Sequence, residues 1–325
     1  MKSLFVGLLL AFLITAAHSF QTSSESVNPF NLLMSPSGGV NMYSGDAAYS
    51  YPVTSVSGRG GMNINVALSY SSNIYLNVRS RNDVAPTSWV GLGWNLNYGS
   101  IVCNHKGTKT HDDDDFIWIS PAGFSSKILK KNGKYYIKDD PYTKIEPQAG
   151  SDSVFTGWIM TTTDGQKAKY GNLGFTDNRN STRWTFAWGN YVGMGSAGTP
   201  TQYPYQWDLS EIADLSGNAV KYYYQQDTEY VKVGSWTSPT WYTKASYPFK
   251  IVTPEGKRVE FTLESKGNEA YDPYTFQNEP DGFMEMFESR RLSQIKAFLI
   301  PDSTSAVSTY KFTYDTIWRR DNHEI

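Results

Sequence analysis

The chain has 325 residues, with 29 Lys and Arg against 31 Asp and Glu and a net charge of −2 at pH 7. That balance excludes the basic footprint that nucleic acid or an anionic membrane surface would require. Its 23 Tyr, 16 Phe and 10 Trp among 27 Gly and 15 Pro favour short pleated strands punctuated by turns, and the single cysteine, Cys103, excludes an intrachain disulfide.

Residues 1–19 read as a secretory leader. Lys2 gives a positive start, residues 4–16 are apolar, and Ala17-His18-Ser19 places small residues around a cleavage point. The apolar run falls short of the ~20 residues of a spanning helix. No later run approaches that length, so an exported chain without a membrane span is expected. Residues 20–39 are rich in Ser, Asn and Pro without period and predict a flexible arm. A β-rich module is expected over residues 40–318, followed by a polar tail over 319–325.

Within the module, residues 45–101 read as two strands around a turn and a third strand entered through Gly91-Leu92-Gly93-Trp94. Tyr49, Tyr51 and Val53 alternate with Ala48, Ser50 and Pro52; Met62, Ile64, Val66, Leu68 and Tyr70 share one face of the next strand. Between them, Ser57-Gly58-Arg59-Gly60-Gly61 cannot continue a strand, because glycines supply positive φ and lose too much entropy in a regular element. Further strands are predicted at residues 134–137, 158–162, 182–188, 220–225 and 258–263, with turn signals every eight to twelve residues. Gly217 and Asn218 both tolerate the left-handed φ that a two-residue hairpin turn requires. Residues 189–204 read as a long loop, and only 281–291 has a helical look. The fold class is all-β: many short antiparallel strands forming a large sandwich or the start of a spiralling sheet.

Candidate chemistry is sparse. The run His111-Asp112-Asp113-Asp114-Asp115 lacks the glycine and distal glutamate of an EF-hand loop and reads as a solvated turn. Cys103 and His105, two residues apart, are both metal-ligand types, but two ligands do not make a site. Cys103 itself reads as a small buried hydrophobe. Asp139-Asp140-Pro141 and Glu279-Pro280-Asp281 pair carboxylates at turns, without the cross-cleft spacing that glycoside hydrolysis needs. No nucleophile elbow, phosphate loop or dinucleotide fingerprint is present, so no catalytic residue, metal or cofactor is assigned. Asn180-Ser181-Thr182 is a glycosylation sequon. Trp236, Trp241 and Tyr242, with Tyr247, sit in a Ser/Thr/Pro-rich stretch that offers faces for a glycan, although core packing also accounts for them.

The ordered series from Ala48-Tyr49-Ser50-Tyr51-Pro52, through Arg59-Gly60-Gly61, Leu68-Ser69-Tyr70-Ser71-Ser72 and Gly91-Leu92-Gly93-Trp94-Asn95-Leu96, to Asp214-Leu215-Ser216-Gly217-Asn218, resembles the opening module of two related toxin groups. One is the B component of insecticidal toxin complexes. The other is the plasmid-encoded virulence protein whose C-terminal part is an ADP-ribosyltransferase. Both belong to the Rhs/YD-repeat proteins. The resemblance implies hairpins stacked into a strip that spirals into a hollow shell, of which this chain holds the start and too little to close one. It implies a structural role for Arg59, Gly60, Gly61, Gly93, Trp94, Gly217 and Asn218. It also implies partners among other toxin-complex subunits or a downstream toxic domain. The transferase itself has no counterpart here, and its activity is not carried over. The expected function is therefore a secreted non-catalytic scaffold, with a secreted glycan-binding adhesive protein as the alternative and a hydrolase as a third reading.

Overall fold

Phe116 and Trp118 are buried while Asp115 and Ile117 face out, and Tyr135 and Ile137 are buried between exposed Lys134 and Tyr136. That period of two belongs to a strand with one face on a core. It recurs through a computed structural model that describes residues 37–40, 47–72, 88–106, 110–121, 125–138, 140–150, 154–187, 201–230, 241–267, 284 and 286–315. The described chain is all-β and antiparallel, and its one helical piece is the 3-10 turn Arg59–Gly61. No helix among the described residues is long and apolar enough to cross a membrane.

A first sheet takes β1 (Ser37–Val40), β2 (Ala47–Val56), β3 (Ile64–Ser71) and β4 (Trp94–Asn95) in that order. The expected arm over 20–39 therefore gives way to strand at Ser37, whose neighbours pair with residues 48–50 of β2. Within β2 the alternation breaks at a bulge after Pro52, which leaves Tyr49 and Tyr51 exposed and turns Val53 and Val56 into the core. Met62, Ile64, Val66 and Leu68 are buried as expected, and Tyr70 is half-buried against Trp94 at 5.2 Å.

A second sheet begins with β5 (Ser100–Asn104), β6 (Asp115–Ile119), β7 (Ser125–Lys131), β8 (Lys134–Ile137), β9 (Asp140–Ala149), β10 (Phe155–Thr161) and β11 (Lys167–Gly171). These seven strands form an uninterrupted meander, and the long β13 (Thr201–Ala213) pairs with both β5 and β11. The ring closes as an eight-stranded barrel, which removes the sheet edges. Its interior is aromatic: Trp158 stands 4.9 Å from Phe116, 5.2 Å from Tyr135 and 6.0 Å from Trp207.

From β13 the sheet continues outward through β14 (Ala219–Tyr230), β15 (Trp241–Val252), β16 (Arg258–Ser265), β17 (Arg290–Phe298) and β18 (Ser308–Lys311), while β12 (Thr182–Ala187) pairs with β13 off this path. The strip expected from the resemblance is present, and it grows out of a closed ring. The loop expected over 189–204 is strand from Thr201 onward, and Asp140-Pro141 opens β9 instead of forming a turn. The described part of 281–291 is irregular before β17, with no helix. The leader, the tail 319–325 and Glu279-Pro280-Asp281 lie outside the described residues.

Candidate functional site: an arch seated on a row of turns, and a buried histidine network

Three hairpins of the second sheet end in the same five-residue turn. Thr162 N–H donates to Gln166 O at 3.0 Å and Gly165 N–H to Thr162 O at 3.0 Å. Asp214 and Gly217 repeat this with Asn218 O at 3.0 Å and Asp214 O at 3.2 Å, and Thr253 and Gly256 with Lys257 O at 2.8 Å and Thr253 O at 3.0 Å. The fourth residue of each turn is a glycine with φ of 82°, 81° and 88° respectively, the left-handed position that closes a three-residue hairpin loop. Asp214 adds an Asx turn, its Oδ1 accepting the Ser216 and Asn218 N–H groups at 2.9 and 2.8 Å.

The Arg59–Gly61 arch rests on this row. A Cβ on Gly60 would lie 2.6 Å from Asp214 Oδ2 and 2.9 Å from Asn218 Nδ2, and one on Gly58 would lie 3.3 Å from Pro254 Cδ. Lys257 Nζ donates to Ser57 O at 2.9 Å, and Gln166 Nε2 reaches Met62 Sδ at 3.9 Å. Thus Gly60 sits against Asp214 and Asn218, far apart though they are in the chain, while neither Gly61 nor Gly217 has such a neighbour. Arg59 departs from expectation: its side chain is exposed, and the arch is held through backbone and through Lys257. Gly58 departs too, being extended at φ −119°, so two of the three glycines expected to carry positive φ do so. Gly93 and Trp94 lie on the far side of the first sheet, where Gly93 O accepts the Ser71 N–H at 2.9 Å.

Of the aromatic trio proposed for a glycan, two members lie among the described residues. Trp236 lies outside the described residues, Trp241 is half-buried 6.4 Å from Trp184, and Tyr242 is buried, as is Tyr247. Trp241 and Tyr242 open β15 instead of lying in a loop, so strand pleating turns Tyr242 inward and removes its ring face from solvent. The sequon is internal as well: Ser181 and Thr182 are buried, and Asn180 Nδ2 donates to Tyr224 O at 3.4 Å.

The acidic run divides at His111. Asp112 and Asp115 face Lys130 and Lys106 at 3.9 and 3.2 Å on the surface. His111 is buried, stacked 5.0 Å from Phe155 and 4.2 Å from Tyr203. Its Nδ1 accepts the Phe155 N–H at 2.8 Å, which places the proton on Nε2, and Nε2 donates to Pro204 O at 2.9 Å. Burial lowers its pKa from 6.5 to about 4, against the opposing pull of Pro204 O and Asp114. Cys103 Sγ donates to Asp114 Oδ2 at 3.2 Å, and Tyr203 OH donates to the same oxygen. Burial, then Asp114, pushes the Cys103 thiol far above its ordinary range, so it stays a protonated donor. Cys103, His111 and Asp114 bring ligand atoms within 4.8 Å of one another. Both imidazole nitrogens are nevertheless committed to backbone, so a metal here would have to break one of those bonds. His105 stands 4.4 Å from Tyr203, beside this network. Sequence reasoning treated Cys103 as inert and His111 as part of a solvated turn; no local signal marks either as half of a network whose other half lies about ninety residues on.

No family model and no curated protein matches the chain. Solved structures do. The crystal structure of TcdB2-TccC3 superposes with a TM-score of 0.54 at 15% identity, over 90% of this chain and 16% of that one. A TcdB2-TccC3-TEV structure gives 0.52 at 15% identity, again over 90% and 16%. The N-terminal domain of effector protein SpvB from Salmonella typhimurium strain LT2 gives 0.49 at 15% identity, over 82% of this chain and 93% of that one. This chain spans about a sixth of the TcdB2-TccC3 chain, and its barrel with an outgrowing strip is similar in fold to that segment, in line with the resemblance read from its motifs.

Proposed function

We propose that the chain is a secreted, non-catalytic scaffold module of a toxin-related protein, exported by its 1–19 leader and joined to further subunits or to a downstream toxic part. The observation that carries this reading is the likeness of nine-tenths of the chain to one segment of the much longer TcdB2-TccC3 chain. Two features support it. A closed barrel gives a rigid base, and the β14–β18 strip adds one hairpin after another to that base. Three perturbed titratable groups, His111, Cys103 and Tyr203, are bonded to backbone or to Asp114 inside the barrel, as packing groups are. The adhesive alternative draws no support from Tyr242, whose ring is buried.

The test is the intact mass of the native product recovered from its source culture with an antibody raised against residues 47–72. A mass well above 36.5 kDa is the expected result and directs the search for activity to the part of the product downstream of the module. A mass of 36.5 kDa less the leader would overturn the module reading in favour of a stand-alone protein.

A further inference from the structure

Residues 125–138 hold five lysines, Lys127, Lys130, Lys131, Lys134 and Lys138, with neither an arginine nor an acidic residue, in a chain whose net charge is −2. The overall balance conceals this local excess. The stretch is the β7–β8 hairpin, closed by the two-residue turn Asn132-Gly133 with φ of 53° and 73°. Positive φ at both turn residues matches the twist of the strands and fixes their register. Ile128, Tyr135 and Ile137 are buried. The pleat therefore sends Lys127, Leu129 and Lys131 of β7 outward, with Lys134, Tyr136 and Lys138 of β8, and all six are exposed.

That register sets like against like. Lys131 stands opposite Lys134, and Lys138 N–H donates to Lys127 O at 2.8 Å. Leu129 stands opposite Tyr136 between the two lysine pairs, which lie about 13 Å apart along the strands. Like charges directly opposite each other destabilise a sheet. Here none of the four outward lysines has an ion-pair partner among the described residues. Their neighbours do. Lys106 meets Asp115 on β6 at 3.2 Å, Lys130 meets Asp112 at 3.9 Å, and Lys144 meets Glu146 on β9 at 2.8 Å. The result is an unanswered positive track two strands wide, with carboxylates along both flanks.

We propose that this outer face of the β7–β8 hairpin binds a linear anionic polysaccharide, whose carboxylates or sulfates span the two lysine pairs across Leu129 and Tyr136. The track is narrow, so a single polymer chain fits between Asp115 and Glu146, whereas a planar anionic bilayer would meet those carboxylates as well. β7 is also paired with β6 and β8 with β9, so the hairpin offers side chains and no free sheet edge for an added peptide strand. Protein interfaces favour arginine over lysine, and the track has no arginine. Lysine is a compact, hydrated point charge on a flexible stem, which suits charges spaced along a polymer. One ring, Tyr136, stands between the lysine pairs, too few for a succession of stacked bases. The proposal does not depend on the scaffold reading, since a scaffold and a stand-alone protein can each carry such a face.

Fluorescence anisotropy of labelled heparin and labelled polygalacturonate, titrated with the full chain at rising salt, tests it. At least one probe is expected to bind saturably and to weaken as salt is added, with neutral dextran not binding. Combining Lys127→Gln, Lys131→Gln, Lys134→Gln and Lys138→Gln should lower affinity at least about tenfold. The unliganded Tm of that variant should equal or exceed the parent's, because the like-charge pairs are gone. A control combining Lys167→Gln, Lys221→Gln, Lys296→Gln and Lys311→Gln makes the same change in charge on other strands and should keep the parent's affinity. No saturable binding of either anionic probe would overturn the proposal. An equal loss in the control would overturn it too, by reducing the effect to net charge. Binding of oligo-dT or of phosphatidylserine vesicles as tight as that of either polysaccharide would overturn it in favour of that occupant.

Discussion

His111 shows how much one side chain commits the barrel. The imidazole accepts from Phe155 N–H and donates to Pro204 O, which only the neutral form can do, and it lies in a cage of Phe116, Phe155, Tyr203 and Trp207. Folding therefore depresses its pKa from 6.5 to about 4. Between those values the unfolded chain binds a proton that the native chain refuses, so stability from this group is full above pH 6.5. It declines as pH falls, by about 1.4 kcal/mol per unit at most, until about pH 4. Urea denaturation from about pH 7.5 down to about pH 4 should show that decline. In His111→Gln the decline between about pH 6.5 and about pH 5 should disappear, at a lower overall stability, because the glutamine has no proton to gain, while the loss below about pH 5 that Glu211 and other depressed carboxylates contribute should remain. An unchanged pH slope in the variant would place the effect in other groups.

The arch and its row of turns carry the next level of order. Gly60 and Gly61 both have positive φ, 67° and 78°, yet a Cβ at Gly60 meets Asp214 and Asn218 while a Cβ at Gly61 meets nothing within 4 Å. Gly61→Ala should cost only the left-handed penalty, about 1 kcal/mol. Gly60→Ala adds a clash that pushes the arch off its seat and should cost about 2–4 kcal/mol. Equal losses in chemical denaturation would mean that the arch does not bear on the 214–218 turn. Arg59→Ala, by contrast, should leave Tm within about 1 °C, since substitutions at exposed side chains away from caps and cores are nearly neutral. Much of this level was legible from residues alone. The glycine-bounded arch, the inward set Met62, Ile64, Val66 and Leu68, and the positive φ of Gly217 follow from local periodicity and φ preference, whereas the two-residue turn expected at Gly217-Asn218 is a three-residue loop that Asn218 closes without positive φ. What local pattern could not supply was that Gly60 and Asn218 touch, because register between distant hairpins is set by the closed sheet. Nor could it supply the inward turn of Tyr242. A tyrosine in a Ser/Thr/Pro-rich stretch has the same composition whether its strand presents it to solvent or to Phe186, 6.2 Å away. The shared spacing of Thr162-Thr163-Asp164-Gly165-Gln166, Asp214-Leu215-Ser216-Gly217-Asn218 and Thr253-Pro254-Glu255-Gly256-Lys257 was the signal that would have exposed the row of turns.

Closure of the ring rests on the β11–β13 seam, and charge is concentrated there. Glu211 on β13 accepts Lys169 Nζ from β11 at 2.7 Å and Arg179 Nη1 at 2.9 Å, while Ser210 Oγ donates to Lys169 O at 2.8 Å. Burial works against the Glu211 charge, but the bonds from Lys169 and Arg179 outweigh it and hold the carboxyl below its ordinary range. Arg179 is itself almost fully buried, with 3% of its side chain exposed, so Glu211→Gln would leave its guanidinium with Asp177, 3.0 Å away, as the one remaining carboxylate, at a cost of about 1–3 kcal/mol. Where that cost is felt distinguishes a ring from a strip. In a strip each hairpin depends only on its neighbours, and native-state hydrogen exchange would speed up in β11 and β13 alone. In a closed barrel every strand has two partners only while the seam holds, so the slow amides of β6, β8 and β10 should lose protection together with those of β11, by the same free energy. The β18 amides, at the end of a strip whose last described pairing is with β17, should exchange fast in both proteins and change little. Loss of protection confined to β11 and β13 would show that the seven-strand meander is stable without its seam.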